Sequence, residues 1–168
     1  MQERFERLAD RAVAALAPGE SCTVGFRGED SDYARLNRGR VRQAGSVTQG
    51  ALTVRLVVGR RHVARTLTLL GSGADEARVT ATIADLRGVI PHLPEDPYLD
   101  IHQSDAGVVD AGAHDPVDGV EAVGQILDLA SAQGERPDLV GIWASGRVAR
   151  GFASSWGQRS WFARTSWS

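Results

Sequence analysis

The side chains able to do chemistry in this sequence are few and widely spaced. A zinc-hydrolase helix needs two histidines four residues apart with a glutamate beside the first. His62, His92, His102 and His114 provide neither that spacing nor a His-Glu pair. The one stretch dense in ligand types is DIHQSDAGVVDAGAHDPVD, with Asp100, His102, Asp105, Asp110, His114, Asp115 and Asp118. Carboxylate oxygens and imidazole nitrogens together could hold a divalent metal. The spacing follows no known ligand pattern, however, and polar linkers are commonly Asp-rich, so a connection is the simpler reading. The serines lack a Gly-x-Ser-x-Gly elbow. WASGRVARG has glycines near a strand, but its flanks read strand-turn-strand, whereas a phosphate cradle leads into a helix. The glycines of GSGADE are explained by a helix start. Cys22 is the only cysteine, which excludes an intramolecular disulfide. Its neighbours Thr23, Val24 and Phe26 suggest an inert buried thiol, since a reactive thiolate needs an electropositive partner. Trp161 and Trp167 share a strand face, which reads as core or interface before base stacking. Spacing alone therefore yields no catalytic constellation.

The apolar periodicity shows what scaffold must hold these residues. Phe5, Leu8, Ala9, Ala12, Val13 and Leu16 recur at helical spacing, and Pro18-Gly19 stops that helix. Cys22, Val24 and Phe26 then alternate, and DYARLN leads through Asn37-Arg38-Gly39 into RVRQAGSV. Leu52, Val54, Leu56 and Val58 alternate up to Gly59-Arg60, and Val63, Arg65, Leu67 and Leu69 alternate back. The pattern predicts a meander of about four antiparallel strands with one apolar face and one Arg/Thr-rich face. GSGADEARV opens a second helix, with Asp75 and Glu76 near its positive N-terminal end and Val79, Ile83, Leu86 and Ile90 as its stripe. Four of the six prolines fall between Pro91 and Pro116, which predicts a long connection. Asp118 and Glu121 then cap a third helix with the stripe Val120, Val123, Leu127 and Ala130. After Gly134 and Pro137, the run Val140, Ile142, Ala144 is expected to reverse at Ser145-Gly146 into Val148, Arg150 and Phe152. SSWG turns the chain again, and Trp161, Ala163, Thr165 and Trp167 form the last strand. The expected fold class is α+β: an antiparallel sheet meander with packed helices, followed by a second short antiparallel meander cut off at the C-terminus. The expected division is 1–133 as an α+β domain, with 91–118 as its connection, and 134–168 as the start of a β-rich region.

Composition narrows the function class. Hydrophobic residues make up 42% and charged residues 24%, near globular averages, so disordered and membrane classes are disfavoured. The 19 basic and 21 acidic residues leave a net charge of -2, a poor basis for binding through phosphate neutralisation. Arg35, Arg38, Arg40, Arg42, Arg55, Arg60, Arg61 and Arg65 fall on alternating, turn-broken segments and read as a solvated sheet face. MQERFERLADRAVAAL mixes both charges and lacks the apolar core of a signal peptide. No apolar run approaches the ~20 residues of a membrane span. The expected setting is the cytoplasm, with neither nucleic acid nor membrane as partner.

The order of elements resembles the N-terminal half of the TldD/PmbA (TldD/TldE) family, bacterial and archaeal proteins linked to peptide maturation and modulation of DNA gyrase. LNRGRVRQAGSVTQGALTVRLVVGRRHVART is similar to the family's early segment, with its glycine and following strand pair. LVGIWASGRVARGFASSWGQRSWFARTSW is similar to its glycine-rich segment ending in Ala-Asn-Ser-x-Gly with aromatics just after. Gly141, Gly146, Gly151, Ala153, Ser155 and Gly157 match, with Arg150 and Trp161 beside them, while Ser154 stands where Asn is common. LPEDPYL in the connection fits as well.

This resemblance implies a cytoplasmic, zinc-dependent protease of two related subunits, one bearing a His-Glu-x-x-x-His helix and the other silent. That helix belongs to the C-terminal half, so no catalytic, cofactor-binding or metal-binding residue is carried over here, and zinc is expected only in the complete enzyme. The matching positions are expected to be structural or to form an interface. The expected function is a non-catalytic contribution to dimer assembly and to the substrate cavity of a peptidase for unfolded peptides. A TldD/PmbA-type subunit or the missing half is then the partner, and the GQRSWF style of tail is closer to the silent subunit. Alone, the chain is expected to expose Trp161, Phe162 and Trp167 and to self-associate. The rival reading is a standalone adaptor that captures extended peptide by strand addition.

Overall fold

The computed structural model describes residues 1–103, 117–132 and 138–168 in full, and the backbone of 108–113. The elements are α1 (Gln2–Ala14), β1 (Glu20–Asn37), β2 (Arg40–Val58), β3 (Arg61–Thr68), α2 (Ala74–Val89), β4 (Val108–Ala113), α3 (Gly119–Ser131), β5 (Gly141–Ser154) and β6 (Arg159–Trp167). A single 3-10 turn, Ile90–His92, follows α2. The class is α+β with an antiparallel sheet, in the strand order β3-β2-β1-β5-β6-β4. The two expected meanders therefore belong to one sheet, in which β1 and β5 are neighbours.

About four strands were expected before α2 and there are three, and one expected turn is absent. The stretch from Cys22 through DYARLN lies in the single strand β1, and RVRQAGSV runs on into the Leu52–Val58 segment as the single strand β2. Acidic and hydroxyl side chains interrupt the apolar alternation there without interrupting the ladder, because the ladder uses only backbone N–H and C=O. Cross-strand polar pairs occupy that stretch instead: the Thr48 hydroxyl meets Asp30 Oδ1 at 2.9 Å and the Ser46 hydroxyl meets Asp32 Oδ1 at 2.5 Å. The β1–β2 turn is the tightest kind, two residues with positive φ at Arg38 (53°) and Gly39 (63°), which matches the twist of the paired strands. The Ser145-Gly146 turn does not exist. β5 runs straight through it, and Gly146 is the point where β5 comes so close to β1 that a Cβ would lie 2.4 Å from the Asp30 carbonyl oxygen. A glycine inside a strand marks close backbone approach as readily as it marks a turn. The 91–118 stretch, read as a connection throughout, carries β4.

The chain gathers into two compact units. The first comprises Met1–Gly28, Gln49–Asp110 and Ala149–Phe162. Its core joins Phe5, Leu8, Ala9 and Ala12 of α1 with Val79, Ile83 and Leu86 of α2, over Cys22, Val24 and Phe26 of β1 and Leu52, Val54 and Leu56 of β2. The foreseen stripes of α1, α2, β1 and β2 thus supply most of the buried set, while Val63, Leu67 and Leu69 of the stripe foreseen along β3 are only half-buried. β2 and β3 pair from Ala51↔Thr68 to Val58↔Arg61. On the face away from the helices, Thr53 and Thr66 share a hydrogen bond of 2.8 Å and lie exposed. The start of the proline-rich stretch is tied to the β2–β3 turn: Arg61 donates to the Leu93 carbonyl at 2.8 Å, and the Asp96 N–H donates to the Arg60 carbonyl at 2.9 Å.

The second unit comprises Glu29–Thr48, Ala111–Val148 and Ala163–Ser168. Its small core is Ala34, Leu36, Val123 and Trp143, with Ala122, Ile126, Leu127 and Leu139 packed against it. Asp118 caps α3 as foreseen, its carboxylate accepting from the N–H groups of Val120 (2.8 Å) and Glu121 (3.3 Å). The stripe is rotated from expectation, since Val120 is 85% exposed and the inward side runs through Ala122, Val123, Ile126 and Leu127. Ala144 and Ser168 exchange both backbone hydrogen bonds at 2.9 Å, so the last strand is paired to its final residue. No helix among the described residues is long and apolar enough to cross a membrane.

Candidate functional site

The residues singled out in β5 and β6 build a turn and a core. In the first unit, Trp161 packs on Phe5 and Phe26, with ring centroids 5.8 and 5.6 Å away, and Phe5 and Phe26 are 5.8 Å apart. Such offset aromatic pairs are worth more than their buried area alone. The expected exposure of Trp161 is therefore incorrect: only 6% of it is accessible, because α1 lies over it. Phe162 is 37% and Trp167 57% exposed. Gly151 gives the Phe5 ring its seat, since a Cβ there would lie 2.8 Å from ring atoms. Ala153 is fully buried, and Arg150 is exposed and donates to the adjacent Ala149 carbonyl at 2.9 Å.

Ser155 joins the turn after β5 to the start of β1: its hydroxyl accepts from the Cys22 N–H and its own N–H donates to the Cys22 carbonyl, both at 3.0 Å. The buried Ser154 hydroxyl accepts from the Trp156 N–H (3.3 Å) and the Gln158 N–H (3.4 Å). A short polar side chain is what such a turn needs, and Asn would serve in the same way. Gly157 takes a φ of +94° in this turn, and Gly141 opens β5 at the exposed edge of the second unit.

Two buried ion-pair clusters in the first unit escaped the sequence reading. Asp75, expected only as a dipole partner at a helix start, is 1% exposed and accepts from four donors. These are the N–H groups of Leu70 and Gly71, Arg78 at 2.9 Å and Arg4. Burial alone would push its carboxyl up; the Leu70 N–H and the two guanidinium groups outweigh that and hold it below the usual carboxylate range. Glu20 receives a two-pronged bond from Arg87, at 2.5 and 2.7 Å, which holds its carboxyl down against the opposing effect of burial. The spacing to Arg4 and Arg87 is about seventy residues, beyond the reach of any local pattern. The first cluster ties α1 to α2 and to the loop before it, and the second ties α2 to the start of β1.

Among the described residues, the Asp-rich stretch brings no ligand set together. Asp105, His114 and Asp115 lie outside the described residues, as does the Asp110 side chain. Asp100 and His102 are exposed, and His102 takes part through its backbone carbonyl, which accepts from Gln158 at 3.0 Å. Among the described residues no three His, Cys, Asp or Glu side chains gather as metal ligands, so these residues do not fit a zinc ion. Burial pushes the Cys22 thiol up to about 11, against the smaller pull of Arg159, which is the opposite of what a nucleophile needs.

The second unit carries a groove of about 790 Å3, open to solvent. The N-terminal turns of α3 form one wall and the β1–β2 hairpin the other, with Trp143 of β5 at its base. Sequence spacing could not foresee it, since its lining comes from positions 32–46, 117–127 and 143–145.

No family profile and no curated protein matches this sequence. Solved structures do match. TldE from Thermococcus kodakarensis superposes with a TM-score of 0.68 at 11% identity, over 95% of this chain and 36% of its own. A candidate modulator of a DNA gyrase from Thermotoga maritima gives 0.60 at 14% identity, covering 97% and 38%. Another from Bacteroides thetaiotaomicron gives 0.58 at 13%, covering 98% and 39%. The chain thus shares its fold with these proteins over nearly all of its own length, and it spans less than two-fifths of theirs.

Proposed function

We propose that this chain is the N-terminal domain of a TldD/PmbA-type subunit, either the zinc-bearing one or its silent partner. In that role it contributes to dimer assembly and to the substrate cavity of a cytoplasmic peptidase acting on unfolded peptides, and does not hydrolyse them itself. The observation that carries this reading is the fold shared with Thermococcus TldE over 95% of the chain. The Ala153–Gly157 turn, where the family-like segment closes β1 to β5 through Ser155 and Cys22, supports it. In such an enzyme a bound zinc would polarise the scissile carbonyl and activate water. The residues described in this chain offer it no donor set, so that chemistry is assigned to the complementary half or subunit.

The test is to purify the chain alone and mixed with a zinc-bearing TldD-type subunit. Co-elution and cleavage of a fluorogenic unstructured peptide by the mixture only are expected. Stoichiometric zinc retained by the isolated chain together with peptide hydrolysis would overturn the proposal, as would failure to associate.

A further inference from the structure

We infer that the open face of the first unit's sheet docks an acidic, apolar surface of a zinc-bearing TldD-type subunit. The inference rests on the proposed function and assigns the interface that function needs. Both helices of this unit pack on one face of the strands. Phe26 of β1 is buried there, and Gly151 of β5 lies beneath the Phe5 ring of α1. Side chains alternate along a strand, so Arg27, Arg150 and Phe152 point to the opposite face. Arg55, between the buried Val54 and Leu56 of β2, points there too, as does Phe162 after the buried Trp161 of β6. The three arginines are exposed, and each of the two phenylalanines is 37% exposed.

The register brings like charges together on this face. β1 and β5 are neighbours, and the Ser155 N–H bond to the Cys22 carbonyl, 3.0 Å, sets their pairing. Counted from that bond, Arg27 stands directly opposite Arg150. The turn closed by the Ser154 N–H on the Gln158 carbonyl, 3.1 Å, pairs β5 with β6 and places Phe162 on the other side of Arg150. Like charges directly opposite one another destabilise a sheet. Arg150 spends one N–H on the Ala149 carbonyl, whereas Arg27 and Arg55 make no hydrogen bond or ion pair among the described residues. No described strand position on this face of the unit is Asp or Glu. Two opposed guanidinium groups without a counter-charge favour an incoming carboxylate, which each can grip with paired N–H donors. The phenyl rings beside them supply apolar contact, and Phe and Arg are the residue types enriched where proteins meet. Gly25 stands opposite Phe152, and no heavy atom lies within 4 Å of where its Cβ would be. That leaves a notch through which a partner's apolar side chain reaches the ring. A protein suits this face better than a nucleic acid, because the chain's net charge of -2 opposes a polyanion at long range.

The test measures association of the chain and its variants with a zinc-bearing TldD-type subunit by calorimetry. Wild-type association should weaken as salt is raised. Arg27→Glu turns a like-charge pair into an opposite one, so it should raise the urea midpoint of the chain by a few tenths of a molar. The same variant should weaken association at least about tenfold. A variant that is more stable and binds worse excludes unfolding as the cause. Phe162→Ser should weaken association several-fold. Arg7→Glu makes the same charge change at an exposed position of α1 and should leave association unchanged. Arg27→Glu binding as tightly as wild type, or Arg7→Glu binding as poorly as Arg27→Glu, would refute the interface and leave the proposed function standing. A wild-type chain that does not associate at all would overturn both. Displacement of the subunit by oligothymidylate would overturn the protein assignment in favour of a nucleic-acid face.

Discussion

Replacing Asp75 by Asn removes one charge and one acceptor from the most buried ionised group in the described structure. The Asp75 carboxylate takes the Leu70 N–H at 3.1 and 3.2 Å, the Gly71 N–H at 3.2 Å, Arg78 at 2.9 Å and Arg4. An amide of the same shape keeps one oxygen and points an NH2 group at the donors on the other side. Two of the four bonds are lost, one of them to a guanidinium. Hydrogen bonds to charged groups are worth about 1.5–3 kcal/mol each. Arg4 and Arg78 are about one-third exposed, so water re-solvates them and discounts the loss. The expected cost is about 2–4 kcal/mol, a large share of a domain's ~5–15 kcal/mol. With a urea m-value of about 2 kcal/mol/M, the midpoint falls by roughly 1–2 M.

The pH dependence gives a sharper check of the same idea. The folded carboxyl is held below its unfolded value of about 3.9, so the stabilisation is fully present above that pH and is lost as pH falls through the folded value. The gap between wild type and Asp75→Asn should therefore be constant near neutrality and close below about pH 4. Urea melts from pH 7 down to pH 2.5 read it directly. A cost under about 0.5 kcal/mol, or a gap that persists unchanged to the lowest pH, would refute the reasoning.

Three further outcomes follow from single residues. Gly146→Ala forces a Cβ to 2.4 Å from backbone atoms of β1 and should cost about 1–3 kcal/mol in chemical denaturation. Gly141→Ala, whose Cβ meets nothing within 4 Å, serves as the neutral control. Trp161→Ala empties the space between Phe5 and Phe26 and should cost about 3–5 kcal/mol. In the wild type, acrylamide should quench Trp167 readily and Trp161 hardly at all. The Cys22 thiol, fully buried and pushed up to about 11, should react with a thiol reagent at pH 8 only at the rate of unfolding. Rapid labelling under native conditions would contradict its placement.

Much of the architecture is local and so was legible in the chain. The α1 stripe from Phe5 to Ala12, the α2 stripe from Val79 to Leu86 and the alternation of Cys22, Val24 and Phe26 are the buried sets. Each follows from the period of its own backbone, as does the Asp118 cap of α3. Errors arose where one residue type serves two purposes. Ser145-Gly146 looks like a turn, yet the glycine is there for a neighbouring strand. Val120 falls on the helical stripe of Val123 and Leu127, yet it lies in the first turn of α3, beyond the cluster that covers Trp143.

By itself, the sequence determined the class of fold and the position of its helices. It also determined that no ready-made catalytic motif lies along the chain, because periodicity and motif spacing are properties of neighbours in sequence. Only the tertiary structure decided that β5 joins β1, that Asp75 is buried among donors, and that Trp161 lies under α1. It alone brought Asp32, Asp118 and Trp143 around one groove. Several of those contacts join residues far apart, 71 positions for Arg4 and Asp75 and more than a hundred and fifty for Phe5 and Trp161. A backbone ladder or an ion pair closed over that distance depends on where the chain returns, and no local pattern of side chains records it.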